Sequence, residues 1–289
     1  MFLLTYLQIF KMNKLVIVLF LVFNFGNAQD QNYLEFSKEF EINEKVYLFG
    51  DNVKLRKSPS TNSEIITLLK IGEPLKIVEK STETLMYNGI DSPWYKVKYN
   101  NQQGYVIGGL ISATEKKDGN VRFLFNFEIE DSKLYVTTRV LTDTTSKYFE
   151  NKSEFRGDNY LFTIHFYDNK GIEDINNILF VNYVPESCGA NSGGYYLFLD
   201  DNGLYKVLDL RSGADIGFWE SETLIFPNDP NGEKDKIIFL KEDGQYPDDE
   251  ESGDEPIWEK TSSIKIDLKW VDSKVSPNPR TVLDKIGDY

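Results

Sequence analysis

Along most of this chain apolar and polar residues alternate over short stretches, the period-two pattern of strands that bury one face. Within 160–167, for example, Phe162, Ile164 and Phe166 fall on one face while Thr163 and His165 fall on the other. The pattern predicts strands at 121–128, 133–141, 160–167, 178–184, 194–199, 204–209, 223–226, 236–240 and 264–270. Turn chemistry separates them, at Asp168-Asn169-Lys170-Gly171, Asp201-Asn202-Gly203 and Pro227-Asn228-Asp229-Pro230-Asn231-Gly232. Asn-Gly between two aromatic runs marks a hairpin, because both residues tolerate positive φ. A helical period shows only at 174–178, so no crossover helices are available to join parallel strands. The expected architecture of 121–270 is therefore an antiparallel β-sheet domain, either a sandwich or a curved meander. About 150 residues are too few for a propeller with blades of ~40–45 residues.

Upstream, short strands are predicted at 45–48, 54–56, 64–69, 74–80, 94–99 and 103–107, joined by loops rich in Ser, Asn, Asp and Gly. The charged stretch 113–120 lacks hydrophobic periodicity and reads as a linker between two domains. Residues 29–45 read as a linker or a leading strand. The segment 271–289, with Pro277, Pro279 and the late pair Leu283 and Ile286, reads as an extended tail ending in a short helical turn. The chain is expected to be all-β.

Composition reinforces this. Aromatics make up 14% of the 289 residues, while alanine, the strongest helix former, occurs only at 28, 113, 190 and 214. The net charge of −14 excludes nucleic acid and bare anionic lipid, since binding phosphate relies on basic residues that displace counterions. At the N-terminus Lys11 and Lys14 precede an apolar run at 15–25, and Gly26-Asn27-Ala28 ends in a small residue. This predicts a signal peptide at 1–28, with Met12 the more natural start and an apolar run too short to span a bilayer. No cysteine follows the expected cut, which argues against a lipid anchor. Cleavage removes two lysines and no acids, so the mature chain would carry −16 and no integral membrane span. The expected location is exported, periplasmic or at the cell surface. Cys188 is the only cysteine, so no internal disulfide is available and folding rests on the cores.

One segment carries a recognisable motif. It runs from Val53-Lys54-Leu55-Arg56-Lys57-Ser58-Pro59-Ser60 through Leu68-Leu69-Lys70-Ile71-Gly72-Glu73 to Trp94-Tyr95-Lys96-Val97 and Gly104-Tyr105-Val106. In that order of strands and turns, residues 46–112 resemble the bacterial SH3 (SH3b) family. The resemblance implies a small β-barrel attached to an envelope protein, binding cell-wall peptide or another protein. Val53, Leu55, Ile66, Leu68, Val78, Val97 and Val106 would then form the barrel core, with Gly72 and Gly104 at tight turns. Lys54 stands where the family often has Asn, and Gly104-Tyr105 where it often has Gly-Trp; both departures bear on the ligand more than on the fold. Tyr47, Trp94, Tyr95 and Tyr105 are the candidate aromatic walls of a groove for an extended peptide. The competing reading has Trp94 and Tyr105 closing the barrel without touching a ligand.

Elsewhere the candidate chemistry is thin. Glu186-Ser187-Cys188-Gly189-Ala190-Asn191-Ser192-Gly193-Gly194 is a loop of small residues between aromatic strands, and a Cys188–His165 catalytic pair is the sharpest reading of it. Cysteine peptidases that accompany envelope SH3 units resemble one another in a cysteine at a helix start with its histidine downstream. Here no helix signal follows Cys188, His165 lies upstream, and no basic neighbourhood supports a thiolate. Asp248-Asp249-Glu250-Glu251-Ser252-Gly253-Asp254-Glu255 offers calcium-type oxygen ligands without the spacing of an EF-hand, and reads as a solvated loop. Asp200, Asp201, Asp209 and Asp215 suit β-turns before they suit a metal. Trp219 and Trp258 are candidate platforms for sugar or peptide, although such indoles more often pack across a sheet.

The expected function is an exported, non-catalytic binding or scaffold protein of the bacterial envelope, with no cofactor, metal or catalytic residue. Its partner would be a peptidoglycan peptide or an envelope protein. The alternative is an envelope hydrolase with a carboxylate site in the second domain.

Overall fold

The computed structural model describes residues 34–35, 39–142, 147–158, 160–245 and 259–287. The expected signal peptide at 1–28, the acidic run 248–255 and Trp258 lie outside them. The described chain is all-β apart from one 3-10 turn and one short helix. The first six-stranded sheet curls into a barrel in the order β2 (Lys45–Tyr47), β5 (Pro74–Tyr87), β6 (Ile90–Tyr99), β7 (Gln102–Ile107), β3 (Val53–Arg56), β4 (Ile65–Leu69). Its core holds Val46, Leu48, Val53, Leu55, Leu69, Leu75, Ile77, Tyr95, Val97, Val106 and Ile111. Two expected core residues point elsewhere: Leu68 is 54% exposed and Val78 half-buried, with Leu69 and Ile77 taking the interior. In the unbroken apolar runs at 65–69 and 77–78 alternation does not mark the inward face. Irregularities in pairing at Leu55/Arg56 and Ile77/Glu79 then set the phase.

The expected linker at 113–120 is instead a strand, β8 (Thr114–Asp118), a Gly119-Asn120 turn, and the approach to β9 (Val121–Glu130). Its charged side chains occupy an edge, where hydrophobic periodicity is not required. With β10 (Lys133–Leu141) and β11 (Tyr148–Glu154) it forms a four-stranded antiparallel sheet. The next sheet contains β12 (Leu161–Tyr167), β13 (Asn177–Tyr183), β14 (Gly194–Leu199) and β15 (Leu204–Leu210), with β1 (Leu34–Glu35) on the free edge of β12. The third sheet runs β16 (Ser212–Asp215), β17 (Phe218–Ile225), β18 (Ile237–Gln245), β19 (Glu259–Val271) and β20 (Lys274–Ser276).

These three sheets stack. Phe123, Phe125, Val136 and Val140 of the first pack against Phe162, Leu179, Val181, Tyr195 and Leu197 of the second. The opposite face of the second contributes Ile178, Tyr196, Phe198, Leu208 and Leu210 to another core, which Leu224, Phe226, Ile237, Phe239, Ile266 and Leu268 complete. The middle sheet is therefore covered on both sides, and every residue of β14 is buried. The expected tail is more ordered than an arm: β20 pairs with β19, and helix α1 (Pro279–Ile286) follows. Asn278 caps the helix by accepting the Arg280 N–H at 2.9 Å, Pro279 takes its first turn, and Leu283 is buried in the second core.

Candidate functional site

The barrel is clamped to the first of the stacked sheets by side chains that bond its backbone. Arg122 on β9 donates to the Gly72 carbonyl at 2.8 Å, with its guanidinium 4.5 Å from the Tyr47 ring centroid. Arg139 on β10 donates to the Phe49 carbonyl at 2.7 Å and lies 4.3 Å from the Phe49 ring centroid. Asn126 donates to the Gly109 carbonyl at 2.7 Å. Cation–π contacts and charge-assisted bonds to carbonyls act together here, so the face of the barrel that bears Tyr47 and Phe49 is occupied.

Beyond the part expected from sequence, β5 and β6 continue as a long hairpin to Asn88-Gly89. Both turn residues have positive φ, at 50° and 73°, which suits the twist of a two-residue hairpin. The tip is fastened by an Ile129 N–H to Asn88 carbonyl bond of 2.9 Å. This hairpin supplies one wall of a cleft of about 280 Å³. Trp94, Leu85 and Tyr87 come from the hairpin, Leu110 from the 3-10 turn, and Asp51, Lys54 and Arg56 from the opposite rim. The rim charges differ in their engagement. Lys70 lies 3.8 Å from Asp51 and bonds Asn52 at 2.6 Å, and Arg56 donates to the Ser63 carbonyl at 2.8 Å. Lys54 is exposed. Burial pushes the Tyr87 phenol above its usual range, against the pull of Arg139, so it stays a neutral donor at physiological pH.

The four aromatic residues singled out in the sequence do not share one groove. Trp94 is 5% exposed and lines the cleft just described. Tyr95, its neighbour on the strand, faces the barrel core, edge-on to Phe40 at 5.2 Å, and burial raises its phenol as well. It lines a second cavity of about 290 Å³, on the side of Phe40, Ile90 and Phe127. Tyr47 is half-buried beneath Arg122, and Tyr105 is half-buried on β7, across from Arg56 and Lys96. Leu85 and Tyr87 were not singled out from sequence. The Asn-Gly turn after Tyr87 was the signal that the hairpin, and so this wall, extends past 80.

His165 bonds the Thr163 hydroxyl at 3.0 Å and stacks on Phe180, inside the middle sheet. Cys188 is exposed in the loop after β13, which is held to β16 by the Gly189 N–H to Ala214 carbonyl bond of 2.7 Å. Neither residue touches the other. Asp200 closes its hairpin by accepting the Asn202 and Gly203 N–H groups, and Asp215 accepts the Ile216 N–H. Trp219 is half-buried on β17, opposite Ala214. Among the described residues no three His, Cys, Asp or Glu side chains gather as a metal site, and no helix is long and apolar enough to cross a membrane.

A family model decides the identity of the barrel. Residues 51–112 match the bacterial SH3 domain. The match covers the barrel from the loop before β3 to Ser112, so the cleft over Trp94 lies within or against a bacterial SH3 fold. No curated protein and no solved structure matches the chain. The bacterial SH3 domain carries eight basic and six acidic residues between 46 and 112, whereas 113–289 carries 20 basic and 35 acidic.

Proposed function

We propose that this chain is an exported, non-catalytic binding protein of the bacterial cell envelope, whose SH3 domain holds an extended peptide in the cleft over Trp94. The peptide would come from the cell wall or from an envelope protein. The cleft itself carries the reading: an apolar floor of Trp94, Leu85 and Leu110 beneath a polar rim that includes the exposed Lys54. An extended peptide suits such a surface, because alternate side chains enter the floor while its backbone and charges meet the rim. Arg122 and Arg139 are engaged by the barrel carbonyls of Gly72 and Phe49, so the proposed ligand contacts are those of the cleft floor and rim. The volume is slightly below the ~300–1,000 Å³ of deep small-molecule sites, which favours shallow docking of one or two side chains.

The test uses the full chain, because the barrel is docked on its neighbouring sheet. Sedimentation with purified peptidoglycan should retain the wild type, and soluble wall peptides should perturb tryptophan fluorescence. Leu85→Asp and the rim change Lys54→Glu should each reduce retention several-fold, as should Thr61→Trp, which places an indole at a position that also lines the cleft. Retention unchanged in all three variants would place the ligand elsewhere and refute the cleft as its site.

A further inference from the structure

A larger cleft, of about 400 Å³, opens at the far end of the stacked sheets, and its volume falls within the ~300–1,000 Å³ usual for small-ligand sites. Its floor includes the buried Ile172 and Ile237 beside Pro227. One wall is the connection from β12 to β13, which contributes the exposed residues Glu173 and Asp174. The other is formed by the connection from β17 to β18 and the end of β19, which contribute the exposed residues Lys234 and Lys269. Among the described residues, none of these four side chains has an ion-pair or hydrogen-bond partner. Lys236, on the same wall, is consumed by Asp267 at 2.7 Å and Glu233 at 2.9 Å, and Asp235 offsets part of that wall's positive charge. Asp174 and Asp235 both sit at φ 61°, a left-handed backbone conformation uncommon for residues other than glycine.

We infer that this cleft binds a small zwitterionic amino compound, an amino acid or short peptide, between its two walls. The ligand's ammonium group meets Glu173 and Asp174, its carboxylate meets Lys234 and Lys269, and its side chain rests on Ile172 and Pro227. The inference follows from residues of opposite charge that line the two walls of one cavity without pairing with each other. A molecule carrying both signs satisfies both walls at once, whereas a simple anion or cation is attracted by one wall and repelled by the other. The site is independent of the cleft over Trp94.

The experiment is calorimetric titration of the full chain with glycyl-leucine, alongside N-acetyl-glycyl-leucine and glycyl-leucinamide, each of which lacks one charge. Saturable binding of glycyl-leucine is expected, weakened about tenfold or more by either cap and by added salt. The Glu173→Gln/Asp174→Asn and Lys234→Gln/Lys269→Gln double variants should each weaken it by a similar factor, with peptidoglycan retention unchanged. No saturable binding at millimolar glycyl-leucine overturns the inference. So do equal affinity for all three ligands and unchanged affinity in both variants.

Discussion

Glu222 on β17 is 4% exposed, and its charge is met by several donors at once. Both terminal nitrogens of Arg280 reach its carboxylate, one at 2.5 Å, and the Arg211 N–H adds a bond of 2.7 Å. Arg280 also donates to the Asp209 carbonyl at 2.6 Å, so one guanidinium ties the C-terminal helix to two sheets. Removing one member of such a pair strands a buried charge. Arg280→Ala should therefore lower unfolding stability by about 3 kcal/mol, read as a fall in the urea midpoint, and Arg280→Lys should recover only part of it. Glu233 shows a different electrostatic effect, at the surface. Hydrogen bonds from Lys265 and Lys236 hold its carboxyl at about 2, against 4.5 for a free side chain. A depressed acid stabilises the fold above its unfolded pKa, and that contribution fades as the pH falls from 4.5 through about 2. An NMR titration should place the Glu233 midpoint near the lower value in the native chain and move it upward in Lys265→Met. At this scale the sequence was legible for residue types but not for partners. Trp94 and Tyr95 are both prominent in the chain, yet adjacent strand positions face opposite ways, and only Trp94 reaches the cleft. Arg122, Arg139 and Arg280 gave no local signal, because their partners lie 50, 90 and 58 positions away.

At the scale of elements, alternation located most strands wherever one face is buried and the other wet. It missed β8, β11, β16 and β20, which are short, edge-placed or polar. It also stopped the β5–β6 hairpin at 80. Beyond that point the hairpin is held by its turn, by contact with Ile129 and by separate apolar contacts such as that of Ile90 with the first core, rather than by a regularly alternating face. Gly89 joins these two requirements. Its φ is 73°, and a Cβ there would lie 2.1 Å from the Ile129 carbonyl oxygen. Gly89→Ala should cost about 1–3 kcal/mol, measured as a lower urea midpoint with the m-value unchanged. It should also loosen the Leu85 and Tyr87 wall, so that peptidoglycan retention falls with stability.

At the scale of the whole molecule, the charged segment that resembled a linker is a paired strand, so the SH3 domain is built onto its neighbour instead of tethered to it. Trypsin under native conditions should fail to cut after Lys116 or Lys117, since a strand paired in a sheet cannot enter a protease site without local unfolding. Arg122→Ala combined with Arg139→Ala should expose that segment to cleavage. The fold class and the barrel could be read from the sequence because each of their strands carries its own pattern. The stacking of three sheets could not, since a strand's pattern reports that a face is covered without saying by which element. The middle sheet has a consequence for how this sequence can change. A replacement within β14 must be accommodated by two cores at once, because Leu197 faces one and Phe198 the other. Tolerated variation should therefore collect on the outward face of the third sheet, since that of the first carries the barrel. A library of substitutions would show the centre of the stack as a band of intolerance one strand wide.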